Sequence, residues 1–240
     1  MAHRQQLDFV ATLAKSMPDF FSGKRVLEIG SMDINGSVRR FFKDCDYLGI
    51  DVGPGPGVDM VCQGQDFRGG SESFDVVISC EVMEHNPYWV ETTENMIRML
   101  RPGGLFVLTC ATTGRAEHGT ARTDPKWSPN TVSEGWEYYK NLTSKHFSES
   151  ISLPSWFEKF QFFENWESFD LYLVGIKNPA VGQIGSLGKW KELQEGVEKL
   201  LERDNMSRRS RYRKIAARLF GDNWFKFQRS SVKAINYWGE

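Results

Sequence analysis

Apolar residues recur along this chain at two spacings, and the switching between them lays out the elements. From Arg4 to Met17, Leu7, Val10, Leu13, Ala14 and Met17 fall three or four apart, which predicts an amphipathic helix ended by Pro18. Lys24–Gly30 is short and almost wholly apolar, the signature of a central strand in a parallel sheet. Ser37–Lys43 reads as a helix that turns Val38, Phe41 and Phe42 to the sheet. Tyr47–Asp51, Val58–Cys62 and Phe74–Cys80 predict three more strands, with the stiff loop GPGPG at Gly53–Gly57 between the first two. Tyr88–Leu100 predicts a helix that buries Val90, Met96, Ile97 and Leu100. The RPGG of Arg101–Gly104 stops it and leads into a fifth strand, Leu105–Cys110.

From Thr112 to Ser150 the periodicity is lost, and a long irregular segment after a sheet strand reads as a substrate lid rather than a spacer. Phe157–Asn165 and Phe169–Lys177 predict an antiparallel closing pair, and Trp190–Leu201 a final amphipathic helix. Strands and helices that alternate in this way imply α/β architecture with right-handed crossovers. The expected organisation is one α/β domain over residues 1–180, with a lid at about 112–150, and a helical, basic C-terminal extension over 181–240.

Composition changes this picture in three places. With 40% hydrophobic and 25% charged residues the chain is an ordinary globular one, and no apolar run approaches the ~20 residues of a membrane span. The first fifteen residues lack the apolar block of a secretory signal, and Cys45, Cys62, Cys80 and Cys110 form no C-x-x-C pair. Free, mostly buried thiols in a cytoplasmic protein are expected. The net charge of −1 hides a basic stretch: Arg203 to Lys233 carries ten Lys/Arg against Asp204 and Asp222. With Trp224, Phe225, Phe227, Tyr237 and Trp238 it suits anionic lipid, nucleic acid or an acidic partner; the other reading is a solvated helix face with its aromatics docked on the core or on a second copy, the latter making a homo-oligomer.

The chemistry begins at Val26–Ser31 (VLEIGS), a strand running into a glycine turn. Some 20 residues later Tyr47–Asp51 (YLGID) is a second strand ending in an acid, the arrangement by which an α/β domain holds a nucleoside. A nicotinamide enzyme would share that first unit. Past the carboxyl end of the fourth strand, where such sheets bind ligands, lie Cys80, Glu81, Glu84 and His85. Spaced at i, i+3 and i+4, the last three can share one side of a helical turn, making a candidate divalent-metal site.

The order VLEIGS, YLGID, FDVVISCEVMEH, LRPGGLFVLT over Lys24–Cys110 resembles the class I S-adenosylmethionine-dependent methyltransferases. The resemblance implies a Rossmann-like sheet of seven strands, mostly parallel with an antiparallel last strand. It implies that Glu28, Gly30 and Ser31 hold the methionine moiety, Asp51 the ribose, Val52 the adenine face and Asp66 the adenine amine, with Cys80 and Glu81 completing the cofactor wall. Glycines usual just after Gly30 are replaced here by Met32 and Asp33, which lengthens the turn. The segment E-x-x-E-H also resembles ubiquinone-biosynthesis O-methyltransferases and small-RNA 2′-O-methyltransferases, in which those residues bind magnesium.

The sequence reading is therefore a cytoplasmic methyltransferase acting on an oxygen of a small molecule, such as a sugar, a glycan precursor or a secondary metabolite. His85 and His118 are its candidate catalytic residues, and Mg2+ held by Glu81, Glu84 and His85 is a candidate helper. Arg115, Arg122, Trp127, Trp136, Tyr138 and Tyr139 are candidates for the substrate wall, His146 a weaker one, and His3 carries no assignment. RNA methylation and a non-catalytic partner protein are the alternatives.

Overall fold

The computed structural model describes residues 3–180 and 189–223. Its centre is one seven-stranded sheet in the order β3-β2-β1-β4-β5-β7-β6. The strands are β1 (Arg25–Ile29), β2 (Asp46–Asp51), β3 (Met60–Val61), β4 (Phe74–Cys80), β5 (Leu100–Ala111), β6 (Phe157–Asn165) and β7 (Asp170–Lys177). The first five run parallel, and β7 is antiparallel to both β5 and β6. The expected Rossmann-like sheet with a reversed end is present.

Period-two alternation sorts the strand side chains onto two faces. Leu27 and Ile29 of β1 join Val77, Phe106 and Leu108 on one face, beneath Trp89, Met96 and Ile97 of α2 (Trp89–Met99). Val26, Val76, Ile78 and Val107 face the other way, beneath Phe9, Val10 and Leu13 of α1 (Arg4–Ser16). Leu193 and Val197 of α6 (Trp190–Asn205) lie in this second cluster too, so the C-terminal extension begins inside the α/β body.

Three expectations need correcting. Ser37–Lys43 is no α-helix but a single 3-10 turn over Val38–Phe41, capped by the Ser37 side chain; seven residues are too few to repay helix nucleation unaided. Phe42 instead stacks on Phe21, ring centres 4.6 Å apart. The third strand shrinks from Val58–Cys62 to Met60–Val61, an exposed edge too short to recruit another strand. The lid is not wholly irregular: it contains α3 (Pro129–Ser133) and α4 (Ser144–Ser150), followed by α5 (Leu153–Trp156). Only Cys80 and Cys110 are buried thiols, Cys45 and Cys62 being half-buried. The aromatics Trp224, Phe225, Phe227, Tyr237 and Trp238 lie outside the described residues.

Glu28 shows how the alternation bears on the site. It shares the face of Val26, is 5% exposed, and accepts a hydrogen bond from the Tyr47 hydroxyl at 2.7 Å. Burial lifts its carboxyl to about 7, with the Tyr47 bond opposing. A folded value above the unfolded 4.5 gives stability that is present at low pH and lost as pH rises through about 7. Glu28→Gln keeps an acceptor for Tyr47 and removes that loss. At pH 8 the variant should therefore be more stable than wild type by on the order of 2–3 kcal/mol, with near parity at pH 4.5. Urea unfolding at both pH values checks this; equal pH slopes in the two proteins would sink it.

Candidate active site

A cleft of about 600 Å³, counted to its open mouth, lies past the carboxyl ends of β1, β2 and β4. Its floor is the turn after β1, where Gly30 has φ +77; a Cβ there would sit 2.0 Å from Val82 Cγ2, so only glycine lets the two turns close together. Gly30, Asp51, Val52, Glu81 and His85 line the cleft, as the sequence reading placed them. Met32 and Ile34 of the lengthened turn line it as well. Trp127, Asn130 and Trp136 of the lid supply its roof.

The remaining residues assigned to the cofactor lie off this wall. Glu28 is held by Tyr47 on the opposite face. Ser31 is 2% exposed and packs toward Gly49, where a Cβ would come within 2.7 Å of the Ser31 Oγ. Asp66 is exposed, in a turn beyond the cleft. Cys80 is buried, and burial pushes its thiol up to about 12, which makes it a packing residue at neutral pH.

Asp51 is engaged on both oxygens. Oδ2 accepts from the Met32 backbone N–H at 3.2 Å, and Oδ1 from Asn130 Nδ2 at 2.9 Å. Asn130 Nδ2 also donates to the Gly53 carbonyl at 2.9 Å, so the lid is latched onto the acid that the sequence reading gives to a ribose. Sequence inspection had no signal for this contact, because 79 residues separate the two.

Beyond His85 the cleft adjoins a second pocket of about 610 Å³, and Glu81, His85 and Trp127 line both. The second pocket is also lined by His118, Arg115 and His3. The rings of His85, His118 and Tyr139 form a triangle with centres 4.9–5.3 Å apart and edge-to-face contacts throughout. His118 Nδ1 and the Tyr139 hydroxyl share one acceptor, the Ala116 carbonyl, at 3.0 and 3.1 Å, which fixes both rings. Gly119, at φ +64, comes so close to His85 that a Cβ would lie 2.9 Å from the ring.

Burial, with His118 and Arg115 adding to it, holds His85 well below the ordinary histidine value, so its imidazole is neutral at physiological pH. His118 is lowered too, by burial first, with Glu81 opposing. His3 moves the other way. Burial alone would lower it, but Asp170 at 3.0 Å and Glu81 at 4.0 Å outweigh that and hold it above 6.5. Asp170, fully buried, stays below its usual range because His3, Arg115 and the Ser168 hydroxyl offset its burial. Within one pocket the two imidazoles are thus shifted in opposite directions, His85 down and His3 up.

His3 is the residue sequence reasoning missed. It caps α1, and α1 packs beneath the sheet so that its first residue returns to the carboxyl end of β5 and the start of β7. Among the other wall candidates, Arg115 pairs with Asp170 at 3.2 Å and Glu81 at 3.7 Å, whereas Arg122 stitches Glu117 to Glu137 within the lid. Tyr138 packs near Trp89's cluster, and His146 only caps α4, accepting from the Thr143 N–H at 3.0 Å.

The expected magnesium ligands are not brought together. Glu81 sits in a left-handed conformation (φ +56) at the end of β4 and directs its carboxylate to His3 and Arg115. The atoms that do converge, within 4.8 Å, fall into two groups among the described residues: Glu84, His85 and His118, and His3, Glu81 and Asp170, whose carboxylates Arg115 already pairs. The first group, one carboxylate and two imidazoles, is not the oxygen-rich octahedral set magnesium selects. Glu84 itself is fully buried and accepts from the Ala111 N–H at 3.2 Å, and burial, then Glu81, pushes its carboxyl well above the usual carboxylate range.

Sheet order and a cleft past the carboxyl ends of β1, β2 and β4 together define the class I S-adenosylmethionine-dependent methyltransferase fold. A methyltransferase domain family matches residues 1–163, and the chain belongs to that family. It is 35% identical over 100 residues to a probable phthiotriol/phenolphthiotriol dimycocerosates methyltransferase 2 of Mycobacterium ulcerans, and 31% identical over 97 residues to the corresponding enzyme of Mycobacterium leprae. These matches cover 35% of this chain, and only 38% and 36% of those relatives. Among solved structures it is similar to the 1,6-didemethyltoxoflavin-N1-methyltransferase of Burkholderia thailandensis, crystallised with its substrate and S-adenosylhomocysteine. The TM-score is 0.50 at 14% identity, over 71% of this chain and 78% of that one. It is equally similar to the [4+2]-cyclase SpnF, TM-score 0.51 at 11% identity over 73% and 82%, so the likeness speaks for the fold and not for a reaction.

The latch carries its own expectation. A ribose diol and Asn130 compete for Asp51 Oδ1, so Asn130→Ala should speed S-adenosylmethionine association by about three- to tenfold, one net hydrogen bond's worth. Stopped-flow quenching of Trp127 and Trp136 reports this, and an unchanged or slower rate would refute the latch.

Proposed function

We propose that the protein transfers the methyl group of S-adenosylmethionine to a hydroxyl oxygen of a small molecule, a sugar, glycan precursor or secondary metabolite. The observation that carries this reading is His85 on the shared wall of the cleft and the adjoining pocket. A methyl donor in the cleft and an acceptor in the pocket would meet at a neutral imidazole, the protonation state a general base needs. The acceptor oxygen forms its bond to the methyl carbon as the S–CH3 bond breaks. The hydroxyl proton passes to His85, and neutral S-adenosylhomocysteine leaves. His118 and Tyr139 hold the His85 ring edge-on. The triol in the names of the two mycobacterial relatives supports an oxygen acceptor.

Incubation of methyl-labelled S-adenosylmethionine with a panel of sugars and polyols tests the reading. Label should appear as a methoxy group with one S-adenosylhomocysteine per transfer; methyl on nitrogen or carbon would overturn it. Because the donor set does not suit magnesium, EDTA should leave the rate unchanged, and a loss restored by magnesium would contradict that geometry.

A further inference from the structure

The acceptor pocket is not closed at its far end. His3, Arg115 and Ala116 line both it and a groove of about 810 Å³, whose other wall is α7 (Arg208–Phe220). Cleft, pocket and groove therefore form one path running from Asp51 to Arg209 and Arg213.

Charge is distributed unevenly along that path. At the inner end Arg115 and His3 are matched by Asp170 and Glu81, which leaves this stretch close to neutral. At the outer end α7, which carries six Arg/Lys and no acid, contributes Arg209 and Arg213 to the groove wall. The one carboxylate there, Glu167, accepts from the Ser207 and Ser210 hydroxyls and lies 4.0 Å from Arg213 Nη1. Arg213 lies over the Phe169 ring and donates Nη1 to the Glu167 carbonyl, but its Nε–H is buried with no acceptor among the described residues. Arg209 makes no hydrogen bond or ion pair among the described residues, although it lines the groove. A buried guanidinium N–H without an acceptor costs free energy until something supplies one.

We infer that the groove beneath α7 is an anion subsite for the acceptor, which carries a phosphate or carboxylate group remote from the hydroxyl that is methylated. The planar fork of arginine takes either group through paired N–H bonds. The inference rests on the methyl-transfer reading for its meaning, but the subsite can be tested without turnover.

Calorimetric titration of the full chain with inorganic pyrophosphate and with malonate, at low ionic strength, is the test. Wild type should bind one of them saturably, and the tighter of the two distinguishes a phosphate-bearing acceptor from a carboxylate-bearing one. Arg209→Glu, an exposed change that spares the fold, should weaken that binding at least about tenfold, and Arg213→Gln comparably. The same charge reversal on α6, Lys191→Glu, should change it less than about twofold when the titration is repeated at ~0.1 M salt, where the Debye length of about 10 Å screens a charge outside the groove. Absence of saturable binding, or equal losses in Arg209→Glu and Lys191→Glu, would overturn the subsite. Titration of S-adenosylhomocysteine into the same samples separates the two claims. Failure of that ligand to bind wild type would remove the methyl-transfer reading while the anion result stands on its own.

Discussion

His85→Gln should lower turnover by about 10²–10⁴, the usual contribution of a positioned general base and worth roughly 3–5 kcal/mol of barrier. Glutamine approximates the size of the imidazole, which matters because His85 is 3% exposed and packed against His118, Tyr139 and Gly119. It can neither accept nor carry the proton. Cofactor affinity should change by no more than about threefold, since glutamine fills the same place in the cleft wall.

The pH profile supplies a signature that a merely structural role would not produce. The competent form of His85 is the neutral one, and its value lies well below 6.5. Wild-type kcat/KM should therefore be flat through neutrality and fall only on an acid limb below 6.5. That limb should vanish in His85→Gln. A loss under tenfold, or an acid limb that survives the substitution, would remove His85 from the chemistry.

Much of the fold was legible because it is written in local pattern. β1 and β4 are apolar runs with no competing period and the closing pair falls where expected, whereas the PGG segment is not a turn ahead of the fifth strand but an irregularity inside β5, which starts at Leu100. The site was legible only where strand order alone dictates position: Gly30 and Asp51 end adjacent parallel strands, so they reach the cleft whatever else packs around them. Three features depended on contacts that sequence spacing does not carry. Glu28 alternates to the face of Val26 and meets Tyr47. Glu81 leaves its expected partners because one left-handed residue re-aims the chain after β4. His3 enters the pocket through the packing of α1 beneath the sheet, and its partner Asp170 begins a strand 167 residues away, as the two residue numbers show.

Asp51→Ala is the second change with a large expected effect. Oδ2 is oriented by the Met32 N–H and Oδ1 is freed when Asn130 gives way, so a ribose diol takes over a carboxylate already facing the cleft. Two hydrogen bonds to a charged acceptor at about 1.5–3 kcal/mol each would be lost. The alanine variant should then bind S-adenosylmethionine on the order of 10²–10⁴-fold more weakly. Its fold should be unaffected, because Asp51 ends its strand at the cleft and is only half-buried.

The central claim is that this cleft is the cofactor site and Asp51 its ribose anchor. Calorimetric titration of S-adenosylmethionine into wild type and Asp51→Ala, side by side, tests it most directly. The account predicts one saturable site in wild type and a loss of at least about a hundredfold in the variant. Equal affinities in the two proteins, or no binding to wild type, would contradict it.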